Sequence, residues 1–196
     1  MTFGQFLIIP LFIAFQAFTL MVIAPYIPGN LESVGGKGLM GWVTFQAWAM
    51  YFLAGCTVKM GFKTLAGYLG GIVASVAIFE LAGMLSGLDC GDTKWGLYLA
   101  VFVVVVGVIS AEKVPGFNFV PSWFLGAGVF FALATFGKKP DDVSVYAWYV
   151  ELGVPELIAC ALGLVYGYCT VIFRKSYEAK FAVKAAVAAP ETAANG

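Results

Sequence analysis

LAGYLGGIVASVAIFELAGMLSG, residues 65–87, runs for 23 residues with a single charged side chain, Glu80. A bilayer core about 30 Å thick needs about 20 apolar residues in a helix that rises 1.5 Å per residue. This stretch meets that length and therefore reads as a transmembrane helix. Five others read the same way, near 4–25, 38–57, 95–112, 118–137 and 153–173. The expected fold class is all-α, a polytopic membrane protein of six transmembrane helices. The whole 196-residue chain agrees: 61% of it is hydrophobic and 11% charged, with a mean hydropathy of +0.91. A soluble domain averages about 25% charge. The balance of 11 Lys+Arg against 11 Asp+Glu also excludes a nucleic-acid partner.

The interruptions between spans are short and carry turn residues, as in Pro25–Asn30, Asp89–Asp92, Glu112–Gly116 and Gly137–Asp142. Residues 1–174 are expected to form the transmembrane domain. Residues 175–196 read as a cytoplasmic, mostly disordered tail, a short helical extension rich in Ala, Val and Lys and broken at Pro190. Lys59, Lys63, Lys113, Arg174, Lys175, Lys180 and Lys184 fall on one side of the membrane. Lys37, Lys94, Lys138 and Lys139 fall on the other, with most of the acids. The positive-inside rule then puts both termini in the cytoplasm. The first apolar run has neither preceding Lys or Arg nor a small-residue cleavage site, so it is expected to be retained. Trp42, Trp95, Tyr98, Trp148 and Tyr149 gather at outer span ends, and Trp123, Tyr168 and Tyr177 at inner ends, as an aromatic belt would.

Chemistry is constrained by what is missing. The chain has no histidine, and its four cysteines (Cys56, Cys90, Cys160, Cys169) have no metal-like spacing. No cofactor and no metal are expected, and no catalytic constellation can be assembled, so the chain does not read as an enzyme. Ionisable residues at membrane depth are costly and mark candidate sites. Glu80 in the third span and Glu156 near the start of the sixth are the two clear cases. The functional reading of this pair is a solute path or a proton-sensitive gate, since two carboxylates titrate without any help from histidine. Gln46 and Thr57 join them as candidate path residues; like Gln16, Thr19, Thr44, Asn118 and Thr135, each could line a narrow path for a small neutral solute, with an interhelical hydrogen bond the plainer reading for any one of them. For Glu156 the competing reading is a helix start, because Pro155 precedes it and an acid suits the first turn.

Small residues recur every four positions in two spans. A shift of 92 residues lays Gly67, Gly71 and Ser75 on Ala159, Gly163 and Gly167. Such stripes let helix backbones approach closely, so Glu80 and Glu156, which lie in these two spans, could meet across a close helix pair. The correspondence also suggests a 3+3 inverted repeat, an arrangement in which the substrate path lies between halves. Packing alone is the plainer explanation.

Three blocks carry a resemblance. FVPSWFLGA at 119–127, VPEL at 154–157 leading to ALGLVYGY at 161–168, and FLAGCT at 52–57 with KTLAG at 63–67 are similar to domain-of-unknown-function family 1097. The resemblance covers roughly residues 40–170 and implies a small polytopic protein of the bacterial inner membrane. It brings no catalytic residues, and neither Glu80 nor Glu156 is carried over from it. The function expected is a small channel or transporter for a small neutral or weakly acidic solute. The alternative is a non-catalytic accessory or structural subunit of a membrane complex. Expected partners are the lipid bilayer, further copies of the chain in a homo-oligomer and, on the accessory reading, a membrane-protein partner.

Overall fold

The structure, a computed structural model, describes residues 1–26 and 40–188, with side chains as far as Phe181. Lys37 and Lys184, used above to orient the chain, lie outside the described side chains. The described residues are all-α. The order is α1 (Phe3–Phe6), α2 (Ile8–Ile23), α3 (Gly41–Leu53), α4 (Val58–Met84), α5 (Trp95–Ser110), α6 (Val120–Phe136) and α7 (Val145–Ala188). Four helical segments are long and apolar enough to cross a bilayer: Phe3–Tyr26, Val58–Met84, Trp95–Lys113 and Val145–Phe181. Helix α6 is apolar but has 17 residues, and α3 has 13, which at 1.5 Å each is about 20 Å. The chain is a helical membrane protein.

Local chemistry moves several expected boundaries. The second span, read as 38–57, ends as a helix at Leu53, where Gly55 and Cys56 take positive φ of 96° and 59° and turn the chain back. Glycine pays no Cβ penalty there. Thr57 then starts α4, its hydroxyl accepting from the Met60 N–H at 3.2 Å. Helix α4 thus begins seven residues before the apolar run at 65. Lys59 and Lys63 sit inside its first two turns. Lys63 Nζ donates to Asn118 Oδ1 at 2.8 Å, tying the start of α4 to the approach to α6. Helix α7 extends both ways, from Val145 through Pro155 and on to Ala188. Glu156 is therefore eleven residues inside a helix, which corrects the helix-start reading. The helical extension past Lys175 continues to Ala188, and residues 189–196 lie outside the described residues.

The small-residue stripes do the packing, with partners the sequence did not show. A Cβ on Gly71 would strike the backbone of Trp123, Gly126 and Ala127, and one on Gly126 would lie 2.6 Å from the Tyr68 Cα. Gly67 faces Ser122 and Trp123. Ser75 donates to its own helix at the Gly71 carbonyl (2.9 Å) and reaches the Ala127 carbonyl at 3.3 Å. These contacts advance together along α4 and α6, so the two helices run parallel. The stripe on α7 does the same with α3: Gly163 meets the backbone of Thr44 and Trp48, and Gly167 meets the Tyr51 side chain. The two stripes therefore do not face each other. Each is buried against a different short helix.

The two parallel pairs, α4 with α6 and α7 with α3, meet along α4 and α7, which run antiparallel. Tyr146 and Tyr149 of α7 reach Glu80 of α4, Gly153 packs on Ile72, and Tyr68 lies near Glu156 and Cys160. The shared core holds Val43, Ala47, Tyr68, Phe130, Leu133, Leu152 and Cys160. Helices α2 and α5 are peripheral. Phe12 of α2 stacks on Phe173 of α7 at 3.8 Å, and Gly96 of α5 lets that helix approach Leu85 at the end of α4. Most of α5 is exposed, as a lipid-facing helix is.

Three aromatic residues leave the expected belt. Trp148 is buried in the core, Tyr149 is bonded to Glu80, and the Trp123 indole covers Gly70 while its Nε1 donates to the Phe117 carbonyl at 3.0 Å. Trp42, Trp95 and Tyr98 stay exposed near helix starts, and Tyr168 is exposed within α7, which continues to Ala188.

Candidate functional site

The seam between α4 and α7 has three zones, read from the Glu80 end to the Lys59 end. At the first, half-buried Glu80 accepts from the Tyr149 hydroxyl at 3.2 Å and from the Tyr146 hydroxyl at 3.4 Å. Directly below, Phe79, Phe130, Phe131 and Tyr149 pack ring on ring, with centroids 4.6 Å apart for Phe79–Phe131, 6.2 Å for Phe79–Tyr149 and 6.0 Å for Phe130–Tyr149. This aromatic plug closes that end.

The second zone is two helical turns further along α7. Glu156 has no exposed surface, and neither of its carboxylate oxygens has a hydrogen-bond partner among the described residues. The Tyr68 hydroxyl from α4 is likewise buried and unpartnered. Tyr68 and Cys160 both lie within electrostatic reach of Glu156. Pro155, fully buried beside it, lacks an N–H and leaves the Glu151 carbonyl without its helical donor. Between Thr64 and Met84 on α4, and between Val145 and Phe173 on α7, there is no Lys or Arg. The zone is therefore rich in acceptors and has no cation to answer them. A buried polar group normally finds a partner, and an unpartnered one costs stability.

In the third zone the seam widens into an open, apolar groove of about 390 Å3 lined by Tyr51, Phe62, Leu65, Leu164, Val165 and Tyr168. The aromatic rings thus lie at the Glu80 end of the seam and the groove at the Lys59 end, with fully buried Glu156 between.

Glu80 and Glu156 do not pair. Glu80 is satisfied by tyrosines that sit seven or more residues, at least about 10 Å of helix, before Glu156. Gln46 on α3 has its Oε1 buried without a partner, a third unsatisfied acceptor. Thr57 is exposed and serves as the N-cap of α4, so its place in the fold is structural. Gly67, Gly71, Ser75, Gly163 and Gly167 pack helices as described, and Ala159 is fully buried in the core. The sequence reading missed Tyr68, Tyr146 and Tyr149. A tyrosine inside an apolar stretch was the available signal for Tyr68, and its spacing of seven from Glu156 was the signal for Tyr149.

A second polar cluster lies nearer the far end of α7. Trp48 Nε1 donates to Thr170 Oγ1 (3.1 Å), Thr170 Oγ1 donates to Gln16 Oε1 (2.7 Å), and Gln16 Nε2 donates to the Tyr166 carbonyl (3.2 Å). Thr19 donates to the Gln16 carbonyl (2.8 Å) and lies 3.0 Å from the Tyr166 hydroxyl. This cluster ties α2 and α3 to α7, as expected for Gln16 and Thr19.

The described residues contain no group of three or more acid or cysteine side chains able to hold a metal ion. The family model described as "Protein of unknown function (DUF1097)" matches residues 7–175. No curated protein and no solved structure matches the chain. With most of its length matched, the chain belongs to the DUF1097 family.

Proposed function

We propose that this DUF1097 chain is a channel or transporter for a small neutral or weakly acidic solute, with the path along the α4–α7 seam. The observation that carries the proposal is Glu156: a carboxyl held in the middle of a membrane seam with both oxygens unpartnered. Such a group costs stability, and an ionisable residue at membrane depth marks a candidate site for what passes it. A solute that offers O–H or N–H donors satisfies Glu156 and Tyr68 for the time it spends there. A weak acid would pass in its protonated form, because the seam has no cation to receive an anion. The groove at the Lys59 end supplies an entrance, and the aromatic plug under Glu80 supplies the opposite closure.

The helix pairing supports this reading further. The third predicted span packs on the fifth, and the sixth on the second, in two parallel pairs that run in opposite directions. The first and fourth spans each sit outside, against the sixth and the third. A swapped inverted repeat produces this pattern, and its path lies between the halves. In this proposal six helices sit in a bacterial inner membrane with both termini cytoplasmic, the Lys59 end facing the cytoplasm, and the chain carries out no catalysis. The broad exposed face of α5, with Tyr98, Phe102 and Ile109, suits contact with another copy in a homo-oligomer. The same face favours the alternative, an accessory subunit docked on a larger membrane complex.

Stopped-flow permeation in proteoliposomes separates the two. A panel of small polyols, amides and monocarboxylic acids should show flux above empty liposomes, reduced to that background in Glu156→Gln. Silence across the panel, from protein shown to be folded, would favour the accessory role.

A further inference from the structure

We propose that Glu156 and Tyr68 form an exchangeable proton site, so that the seam carries a proton as well as a solute. This rests on the reading of the α4–α7 seam as a path and adds the co-substrate. The argument is one of fit. Glu156 offers two acceptor oxygens and Tyr68 one hydroxyl, contributed by antiparallel helices and buried together without partners. A divalent metal needs more oxygens than one carboxylate and one phenol provide. An anion has no donor cation here. Leu152, Pro155, Ala159 and Cys160 beside the carboxyl are all fully buried, so no organic cation resides there in the closed arrangement that the structure shows, which a passing solute must open. A proton satisfies the carboxyl and demands no volume.

The surroundings isolate this group from other titrating side chains. On α7 the titratable neighbour in electrostatic reach is Cys160, and from α4 it is Tyr68. From α3 the core receives Val43 and Ala47, and that helix's Tyr51 interacts with Cys56 and Tyr168 instead. From α6 it receives Val129, Phe130 and Leu133. Glu80, the other membrane carboxylate, is separated by the aromatic plug and held by two tyrosine hydroxyls. The Tyr68 hydroxyl is the one polar group on the facing helix able to donate to Glu156 when the proton leaves. The two groups are not hydrogen-bonded in the structure, so it would do so through a shift of the side chains. That gives the ionised form a partner and makes release toward the open groove feasible.

Infrared titration of the full chain in lipid nanodiscs tests this. The C=O stretch of a protonated carboxylic acid should be present in the wild type, absent in Glu156→Gln, and reversibly lost as the pH is raised from 5 to 10. Tyr68→Phe should shift the midpoint of that loss upward, because the ionised form loses its donor. A hydrophobic carbodiimide, which attacks protonated carboxyls in apolar surroundings, should modify Glu156 severalfold less at pH 9 than at pH 6. A band that persists unchanged over the whole range would make Glu156 a fixed neutral donor and overturn the proposal, while leaving a solute path intact. Absence of the band in the wild type would overturn it as well. A band that titrates in protein that passes no solute would uphold the proton site and count against the transport reading.

Discussion

Helix α7 carries two buried polar clusters, about four turns apart, that are equally removed from water and opposite in one respect. At Thr170, 4% exposed, the side-chain polar groups of Gln16, Trp48 and Thr170 all find partners across three helices. At Glu156, fully buried, neither carboxylate oxygen is answered, and the Tyr68 hydroxyl facing it is idle. Burial is therefore a poor marker of function in this molecule, whereas satisfaction separates the two sites. Interhelical hydrogen bonds in membranes contribute about 0.6 kcal/mol each on average. The Thr170 cluster is structural glue of that kind, holding α2 and α3 to α7. The Glu156 cluster holds nothing together that apolar side chains would not hold better.

The largest effect should come from erasing the unsatisfied site. Glu156→Leu should bring solute flux down to the level of empty liposomes. It should also leave the folded protein as stable as before or more so, by up to about 1–3 kcal/mol, since an unpartnered buried polar group is replaced by an apolar one. Unfolding in mixed detergent micelles measures the second half of that statement. A variant that lost flux and also unfolded early would make Glu156 one more structural residue, and the contrast with Thr170 would collapse.

Next in size is the converse experiment. Thr170→Val removes the acceptor of Trp48 Nε1 and the donor to Gln16 Oε1 together, stranding both in a dry interface. It should cost about 1–3 kcal/mol of stability while flux per folded protein stays unchanged. A loss of flux at preserved stability would extend the path down to Thr170 and end the division between the clusters.

That division was only half legible in the sequence. Apolar length and charge spacing gave the helices, and the stripes of Gly67, Gly71, Gly163 and Gly167 announced close approach. A stripe states that a backbone will come near; it does not state whose. The partners proved to be α6 and α3, because Gly126 on α6, and Thr44 and Ala47 on α3, present backbone or small side chains at the matching heights. Glu156 was singled out as an ionisable residue at depth, but Pro155 before it read as a helix start. Proline at that place is instead interior to α7, where neighbouring helices cover the backbone it frees. Whether a polar side chain is satisfied depends on residues more than a hundred positions away, such as Gln16 and Thr170. Single-chain pattern reading has no access to that. The same holds for Tyr146 and Tyr149, which are ordinary belt residues until α7 is laid antiparallel to α4.

Those two tyrosines supply the smallest and most discriminating test, since Glu80 stands between the two classes. It is satisfied like Thr170, yet it is half-exposed and sits over the aromatic plug that closes one end of the seam. Tyr149→Phe keeps the ring against Phe79 and Phe130 and deletes only the hydroxyl that Glu80 receives at 3.2 Å. Stability should move by no more than about 0.5 kcal/mol, because the lost bond is partly wet and Tyr146 still reaches the same carboxylate. If the hydroxyl latches the plug shut, flux should rise severalfold, and Glu80→Gln should raise it in the same direction by a smaller amount. If the hydroxyl only decorates the rim, neither variant will change flux, and the closure belongs to the stacked rings alone. In that case Glu80 joins Thr170 as a structural residue and Glu156 is left as the single membrane carboxyl with work to do.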